Sequence, residues 1–276
     1  MSEGYQDERL QSSRYSVIRW FGFDQFEPER AVTSYWVSSR VFLCIRIPLV
    51  LYSTVVMWAD IGTTAQEGTF YKFFTYFTNL TFIGLHAYLV TALYHHVCYL
   101  LAKPHSPRSF FKQPPVLNYL YLYLYHSIVV FNIITPVVFW AALSKTMLTD
   151  PSSVPSMQWW TTTSVHGVSF FMMIVDVIFN RMKLYINMVL LVFINVVLYM
   201  FLTFIVHATN GFWVYPFLDW AQGPVTAGWY IGIGAAFIVV FFIQYAFHWF
   251  RGWLGRRFGR HPTPPPRQEM MEREQV

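Results

Sequence analysis

Charged residues are scarce in this chain. They make up 12% of its 276 residues, about half the share of roughly 25% found in soluble domains. So few charges cannot cover a water-facing surface of this size, which excludes an ordinary soluble enzyme. The two cysteines, Cys44 and Cys98, both lie inside apolar stretches, so they offer neither a disulfide framework nor a thiolate metal site. The first 40 residues lack a central apolar run, which predicts no cleavable signal peptide.

Apolar residues, at 55%, and aromatic residues, at 20%, are abundant instead. Such a composition excludes disorder over most of the chain. The apolar residues cluster in segments of about the 20 residues that a membrane-spanning helix needs. These segments are 41–59, 73–101, 117–143, 158–180, 184–208 and 225–250. We therefore predict an all-α, polytopic membrane protein with six transmembrane helices in one bundle.

Lysine and arginine predict the orientation of these helices. With six spans, sixteen of these residues fall in the N-terminal segment, two alternate loops and the C-terminal tail, and only two face the other side. Cytoplasmic loops carry such an excess, so both termini are expected to be cytoplasmic. The predicted parts are a cytoplasmic N-terminal segment (1–40), the six-helix domain (41–250) and a basic, proline-rich, disordered cytoplasmic tail (251–276). The net charge of +5 thus reflects topology, and no nucleic-acid partner is expected.

Ionisable residues inside the hydrocarbon layer are costly and usually face the bundle interior. In the fourth segment, Thr162, His166 and Ser169 have the spacing of one helix face. Asp176 follows His166 by ten residues and is too far along the helix to contact it. We expect Asp176 to form a contact between helices, with Arg46 as its partner. A histidine in a membrane helix is also commonly a simple inter-helix hydrogen-bonding group.

The second segment begins with a run of hydroxyl and amide side chains that includes Thr78, Asn79 and Thr81. A threonine hydroxyl can act as a nucleophile when a base such as histidine is within reach. The alternative is structural, because threonine in membrane helices often bonds the carbonyl one turn back.

Residues 207–218, with the sequence HATNGFWVYPFL, resemble a loop of the androgen-induced and androgen-dependent membrane proteins. In that family the loop lies between the last two spans, as it would here. The family comprises six-span, cofactor-independent threonine hydrolases that cleave fatty acid esters of hydroxy fatty acids. Related rolling-stone proteins share much of the pattern but are associated with cell fusion.

Two further stretches fit the resemblance. The nucleophile of the family follows an aromatic and an apolar residue near the start of the second span, which matches Thr78. A shift of three residues makes Thr81 the alternative nucleophile. The histidine of the family's fourth span corresponds to His166, followed by an acid at Asp176, but Thr162 stands where the family has an asparagine.

The resemblance implies an intramembrane hydrolase of lipid esters, with Thr78 as nucleophile and His166 as base and with neither cofactor nor metal. Its partners would be a lipid ester with long acyl chains and the surrounding membrane lipids, in the endoplasmic reticulum or the plasma membrane. The oligomeric state stays open. Supporting residues would be Asn79, Thr162, Ser169, Asp176 and Arg46, and the substrate channel would include Trp213, Tyr215 and Pro216. The alternative is a non-enzymatic multi-pass protein, namely a scaffold, a fusion factor or a transporter.

Overall fold

The computed structural model describes residues 9–101 and 113–260, and this part of the chain is helical with no strand. The α-helices are α1 (Ser16–Phe21), α2 (Ser39–Gln66), α3 (Phe77–Leu101), α4 (Pro115–Val138), α5 (Lys145–Thr149), α6 (Ser156–Thr163), α7 (Ser169–Phe179), α8 (Met188–Asn210) and α9 (Val225–Phe258). The predicted tail beyond residue 260 and three cations of the predicted second loop, Lys103, Arg108 and Lys112, lie outside the described residues.

Five helical stretches are long and apolar enough to cross a membrane, which makes the chain an integral, multi-pass membrane protein. They are Ser39–Gln66, Pro115–Leu143, Ser156–Phe179, Met188–Asn210 and Val225–Phe258. Helix α3 is also long, at 25 residues, but it is not among these five. It carries several polar side chains, namely its threonines, Asn79 and three histidines.

Helix α4 lies at the centre of the bundle. Over its most apolar window 56% of residues are buried, against 28% or less for α2, α8 and α9. It packs against α3, α7, α8 and α9, and α3 packs between α2 and α4. The outer helices instead expose large apolar side chains such as Leu51, Leu198 and Ile231. Helices that are apolar all round are typical of membrane spans.

Two predicted spans are interrupted in ways that position the site. The second does not begin as a continuous helix at residue 73. A short 3-10 helix (Phe70–Thr75) comes first, Tyr76 is extended, and α3 begins at Phe77. In the fourth, a π-helical turn (Ser164–Val168) separates α6 from α7. A π turn bonds five residues back, not four, so it rotates the residues after it relative to those before it.

The described parts of the N-terminal segment and of the predicted C-terminal tail are folded. Residues 9–38 fold against the bundle, where the indole nitrogen of Trp36 donates to the carbonyl of Ile178 at 2.9 Å. The prediction of disorder from residue 251 onward is wrong for residues 251–258, because α9 continues to Phe258. Arg251 anchors this extension by donating to the carbonyls of Val177 and Met182.

Candidate active site

A cavity of about 370 Å³, here called the polar cavity, brings together most of the predicted site residues. It lies between the start of α3, the end of α2, α6 with its π turn, and the loop that follows α8. The predicted residues that line it are Thr78, Asn79, Thr162, His166, Tyr215 and Pro216. These come from three separate stretches of sequence, and the fold places them around one space.

Thr78 occupies the first turn of α3 and is 8% exposed. It owes this position to the extended residue Tyr76, which ends the preceding 3-10 helix. The backbone N–H of Phe77 donates to the hydroxyl oxygens of Tyr199 and Tyr215, each at 3.0 Å. Tyr215 also lines, together with Thr78, both the polar cavity and an apolar cavity described below. A tyrosine pair therefore fixes the helix start that carries Thr78.

The hydroxyl of Tyr215 keeps its proton at neutral pH. Burial raises the pKa of Tyr215, and its contacts with Thr78 and Tyr199 offset only part of that rise. A protonated phenol beside Thr78 can donate a hydrogen bond to a developing negative charge.

Asn79 and Thr81 differ in how their side chains are used. The Asn79 amide donates to the carbonyl of Phe73 at 3.0 Å, which joins the 3-10 helix to α3, and the residue also lines the polar cavity. Thr81 is 5% exposed, donates to the carbonyl of Thr78 at 2.9 Å and lines neither this cavity nor the apolar one described below. Of the two threonines, only Thr78 faces open space.

His166 lies within the π turn, and its ring stacks on that of Phe139, with centroids 3.7 Å apart and planes 9° apart. Phe139 begins a second π-helical segment (Phe139–Leu143) that follows α4. The indole nitrogen of Trp140 donates to the carbonyl of His166 at 2.8 Å. The Nδ1 atom of His166 is buried and has no hydrogen-bond partner among the described residues. Aromatic stacking, in place of a carboxylate, sets the orientation of this imidazole.

The predicted stripe of Thr162, His166 and Ser169 is only partly correct. Thr162 lines the polar cavity with His166, but Ser169 does not. Ser169 is 1% exposed and donates to the carbonyl of Val165 at 2.7 Å. The π turn, which contains His166 and ends directly before Ser169, breaks the regular helical spacing on which that prediction depended.

A second, apolar cavity of about 140 Å³ adjoins the polar one. The two share Thr78, Phe139, Leu143 and Tyr215. The remaining lining is almost wholly apolar and comes from α4, α8 and α9, for example Ile134, Val196, Met200, Ile233 and Phe237. Thr78 thus stands at the junction of a polar space and an apolar one.

The loop between α8 and α9 contributes to both cavities. It turns at Gly211, whose φ of +72° lies in the left-handed region that favours glycine. Tyr215 lines both cavities and Pro216 lines the polar one, but Trp213 lines neither. The proposed channel role of Trp213 is therefore not supported by its position. Its ring stacks on His207 at the end of α8, with centroids 4.0 Å apart.

Arg46 and Asp176 form the expected pair between α2 and α7. The Nε of Arg46 lies 2.7 Å from Oδ1 of Asp176, and both side chains are fully buried. Tyr88 and Asn180 donate to the other carboxylate oxygen at 2.7 and 3.0 Å. Neither Arg46 nor Asp176 lines the polar cavity, so any support that the pair gives is through the positions of the helices.

Asp60 is a residue that the sequence reasoning missed. It lies in the part of α2 beyond the predicted end of the first span, and it lines the polar cavity together with Gln158. Its signal was available: a carboxylate directly follows the apolar run of the first segment. No group of three or more His, Cys, Asp or Glu side chains in the described ranges can hold a metal ion.

Comparison with known proteins identifies the family. The pattern of the FAR-17a/AIG1-like protein family matches residues 41–248. No curated protein and no solved structure matches the chain. Because the match covers most of the chain, the protein belongs to the FAR-17a/AIG1-like family, which confirms the resemblance to the androgen-induced membrane proteins.

Proposed function

We propose that this member of the FAR-17a/AIG1-like family hydrolyses lipid esters within the membrane, with fatty acid esters of hydroxy fatty acids as substrates. The observation that carries the proposal is the place of Thr78, which lines one cavity with His166 and a second, apolar cavity. An ester whose carbonyl lies at this junction can place an acyl chain among the apolar side chains and the rest of the molecule in the polar cavity.

In the proposed reaction the Oγ1 of Thr78 attacks the ester carbonyl while His166 takes the hydroxyl proton. The tetrahedral intermediate collapses, and the imidazolium gives its proton to the leaving alcohol. Water then attacks the acyl-threonine with His166 again as base, which releases the fatty acid and restores Thr78. Every proton is carried by His166, so the mechanism uses no cofactor or metal, and turnover is expected to persist in the presence of a chelator.

Tyr215 is the proposed donor to the oxyanion, because its hydroxyl lies beside Thr78 and keeps its proton. Asn79 lines the same cavity and is a second donor in reach of it. This assignment favours Thr78 over Thr81 as nucleophile, since the Thr81 hydroxyl is buried against a backbone carbonyl.

For topology we propose six spans, namely the five apolar helices and α3. We propose that the protein lies in the endoplasmic reticulum or plasma membrane with both termini in the cytoplasm. Support comes from the packing of the N-terminal segment, the loop 180–187 and the end of α9 against one another. The backbone N–H of Arg181 donates to the carbonyl of Arg30 at 2.9 Å, and Arg251 reaches Met182. Their basic side chains therefore share one side, as cytoplasmic regions do. Protease protection that placed the C-terminal tail in the lumen would contradict this topology.

The decisive experiment uses the purified full-length protein in detergent with a branched fatty acid ester as substrate and a fluorophosphonate as a probe of the nucleophile. We expect turnover, and an adduct that peptide mapping places on Thr78. Thr78→Ala and His166→Ala should each abolish turnover, because nucleophile and base act as a unit. Thr81→Ala is the matched control and should have a much milder effect.

The opposite outcomes are equally clear. An adduct on Thr81 and loss of activity in Thr81→Ala would show that Thr81, and not Thr78, is the nucleophile. If neither branched nor simple long-chain esters are hydrolysed, and no adduct forms at either threonine, the hydrolase proposal fails and a non-enzymatic membrane role replaces it.

A further inference from the structure

A third cavity, of about 170 Å³, lies where the N-terminal segment, the loop 180–187 and the end of α9 meet. Five cationic side chains line it, and no Asp or Glu of the described chain does. The cations are Arg30, Arg181, Lys183, Arg251 and Arg256. It shares no lining residue with the polar or the apolar cavity. We infer that this cationic cavity binds the phosphate headgroup of an anionic phospholipid.

Arg251 provides a deeply buried charge in the cationic cavity. It is 5% exposed, and the groups that it contacts are neutral: two backbone carbonyls and the side-chain oxygen of Asn180. Its Nε is buried without a hydrogen-bond partner, and no carboxylate of the described residues forms an ion pair with it. A buried charge is stabilised when an opposite charge is added, so an anion in this cavity would compensate Arg251.

Arg256 and Gly252 line the cavity near the end of α9. Arg256 is exposed and forms no ion pair with a described residue. A Cβ atom added at Gly252 would lie 3.5 Å from a guanidinium nitrogen of Arg256 and 4.0 Å from the hydroxyl oxygen of Tyr35. A side chain at Gly252 would therefore contact the cation and the phenol that line the cavity.

The carboxylate of Glu27 does not provide the opposite charge for Arg251. It lies outside the lining and forms ion pairs with Arg30 and with Lys183, the latter at 2.9 Å. These contacts hold two of the five cations in place at the wall of the cavity. Arg181 donates to the hydroxyl oxygen of Thr33 at 2.8 Å. Arg251 and Arg256, on the α9 side, remain to contact a phosphate, and guanidinium groups suit that anion because their donors match its oxygens.

The surroundings favour a lipid over a free phosphate ion. Trp249 lines the cationic cavity and is 64% exposed. Phe250 and Trp253, also exposed, stack next to it with ring centroids 5.9 Å apart. Exposed tryptophans at helix ends are typical of the membrane interface, and basic pockets between helices at that level bind lipid headgroups. A headgroup in the cavity would leave its acyl chains beside this aromatic face.

The test measures lipid binding to the purified full-length protein in detergent. The probes are dioctanoyl phosphatidic acid, dioctanoyl phosphatidylcholine and inorganic phosphate, titrated with intrinsic tryptophan fluorescence and thermal unfolding as readouts. We expect saturable binding of phosphatidic acid, weaker binding of phosphatidylcholine and no comparable effect of inorganic phosphate. Arg256→Gln should weaken phosphatidic acid binding roughly fivefold, the effect of removing one interfacial cation.

Arg257→Gln is the matched control, because it removes the same charge from the next, exposed residue, which does not line the cavity. It should leave the affinity nearly unchanged. Gly252→Leu should abolish binding by filling the space without a change in charge, and its melting temperature without lipid reports on its folding. Equal weakening by Arg256→Gln and Arg257→Gln, equal affinity for the two lipids, or binding of inorganic phosphate as tight as that of the lipid would each overturn the inference.

Discussion

The imidazole of His166 lies flat on the phenyl ring of Phe139, 3.7 Å away and within 9° of parallel. Each residue belongs to a π-helical turn, one after α4 and one between α6 and α7. Two local departures from the α-helix therefore meet at the proposed base. Such π turns are frequent at functional sites. Here the stack restricts the orientation of the imidazole, a role that a carboxylate partner has in other catalytic sites.

This stack predicts that Phe139 positions the base. Phe139→Leu should lower kcat between about tenfold and a hundredfold, because small misplacements of a catalytic group cost rate on this scale. KM should change less than kcat. The measurement is steady-state hydrolysis of a branched fatty acid ester by the purified variant.

Phe171→Leu is the matched control for Phe139→Leu. Phe171 is 64% exposed on α7, and among the described rings it contacts only Phe170, edge to face. A loss of activity as large in Phe171→Leu would show that the effect of Phe139 is not specific to the base.

A second prediction concerns the hydroxyl of Tyr215. Tyr215→Phe should lower kcat by about 10² to 10³, the effect of removing one oxyanion donor. Folding should change little, because the N–H of Phe77 keeps its hydrogen bond to Tyr199. Tyr123→Phe is the control, since it removes a hydroxyl that bonds Asn195 at 2.5 Å, away from both cavities. An unchanged kcat in Tyr215→Phe would contradict the role of Tyr215 as oxyanion donor and would favour Asn79 in that role.

A third prediction concerns the buried pair of Arg46 and Asp176. Asp176→Asn should lower the free energy of unfolding by about 3 to 5 kcal/mol, because it leaves the buried Arg46 charge without its counterion. Ester hydrolysis should fall only in part, since neither residue lines the polar cavity. The readouts are thermal unfolding in detergent and specific activity of the folded fraction.

The double variant Arg46→Met with Asp176→Leu provides the critical comparison. Replacement of a buried ion pair by apolar residues of similar size is often neutral or stabilising. The double variant should therefore be more stable than Asp176→Asn alone. A double variant less stable than the single one would show that the pair itself, and not the orphaned charge, maintains the packing of α2 against α7.

A fourth prediction concerns pH and Glu27. Burial raises the pKa of Glu27, but its contacts with Lys183 and Arg30 outweigh burial and hold the pKa below the ordinary 4.5. A lowered carboxyl pKa contributes stability that is complete above the ordinary value and is lost as pH falls through the folded value. The melting temperature of wild type should therefore exceed that of Glu27→Gln at pH 7. The gap should shrink as the pH falls below 4.5, and a gap that stays constant to acidic pH would contradict the assignment.

The positions of the long helices could be predicted from the sequence, because apolar runs of membrane length have few alternative structures. The Arg46–Asp176 contact could also be predicted, because charged side chains inside a bilayer are costly and pair with an opposite charge. The apolar run at 73–101 predicted α3 as a span, but its threonines, Asn79 and three histidines leave it outside the five helices that are clearly apolar enough to cross a membrane. Its buried Tyr88, His95 and His96 are used in packing against neighbouring helices.

The interruptions of helices could not be predicted. Nothing in the composition around Ser164–Val168 distinguishes a π turn from an α-helix, and for this reason Ser169 was placed wrongly. Asp60 was missed because it lies just beyond the predicted end of the first span at residue 59, whereas α2 continues to Gln66. The folding of residues 9–38 was missed because their polar side chains give no periodic pattern.

The pairing of polar groups on α2 and α3 has a consequence for biogenesis. His86 bonds Ser53, and His96 contacts both Ser39 and Arg46, so these two histidines of α3 find their partners on the preceding helix. A segment with this polarity partitions poorly from the translocon by itself. The two helices should therefore leave it as a hairpin, with Arg46 lacking its counterion until α7, which carries Asp176, has been synthesised. During that interval the nascent chain is exposed to quality control. Variants that delay the synthesis or insertion of α7 should therefore be degraded and should accumulate to lower levels than wild type.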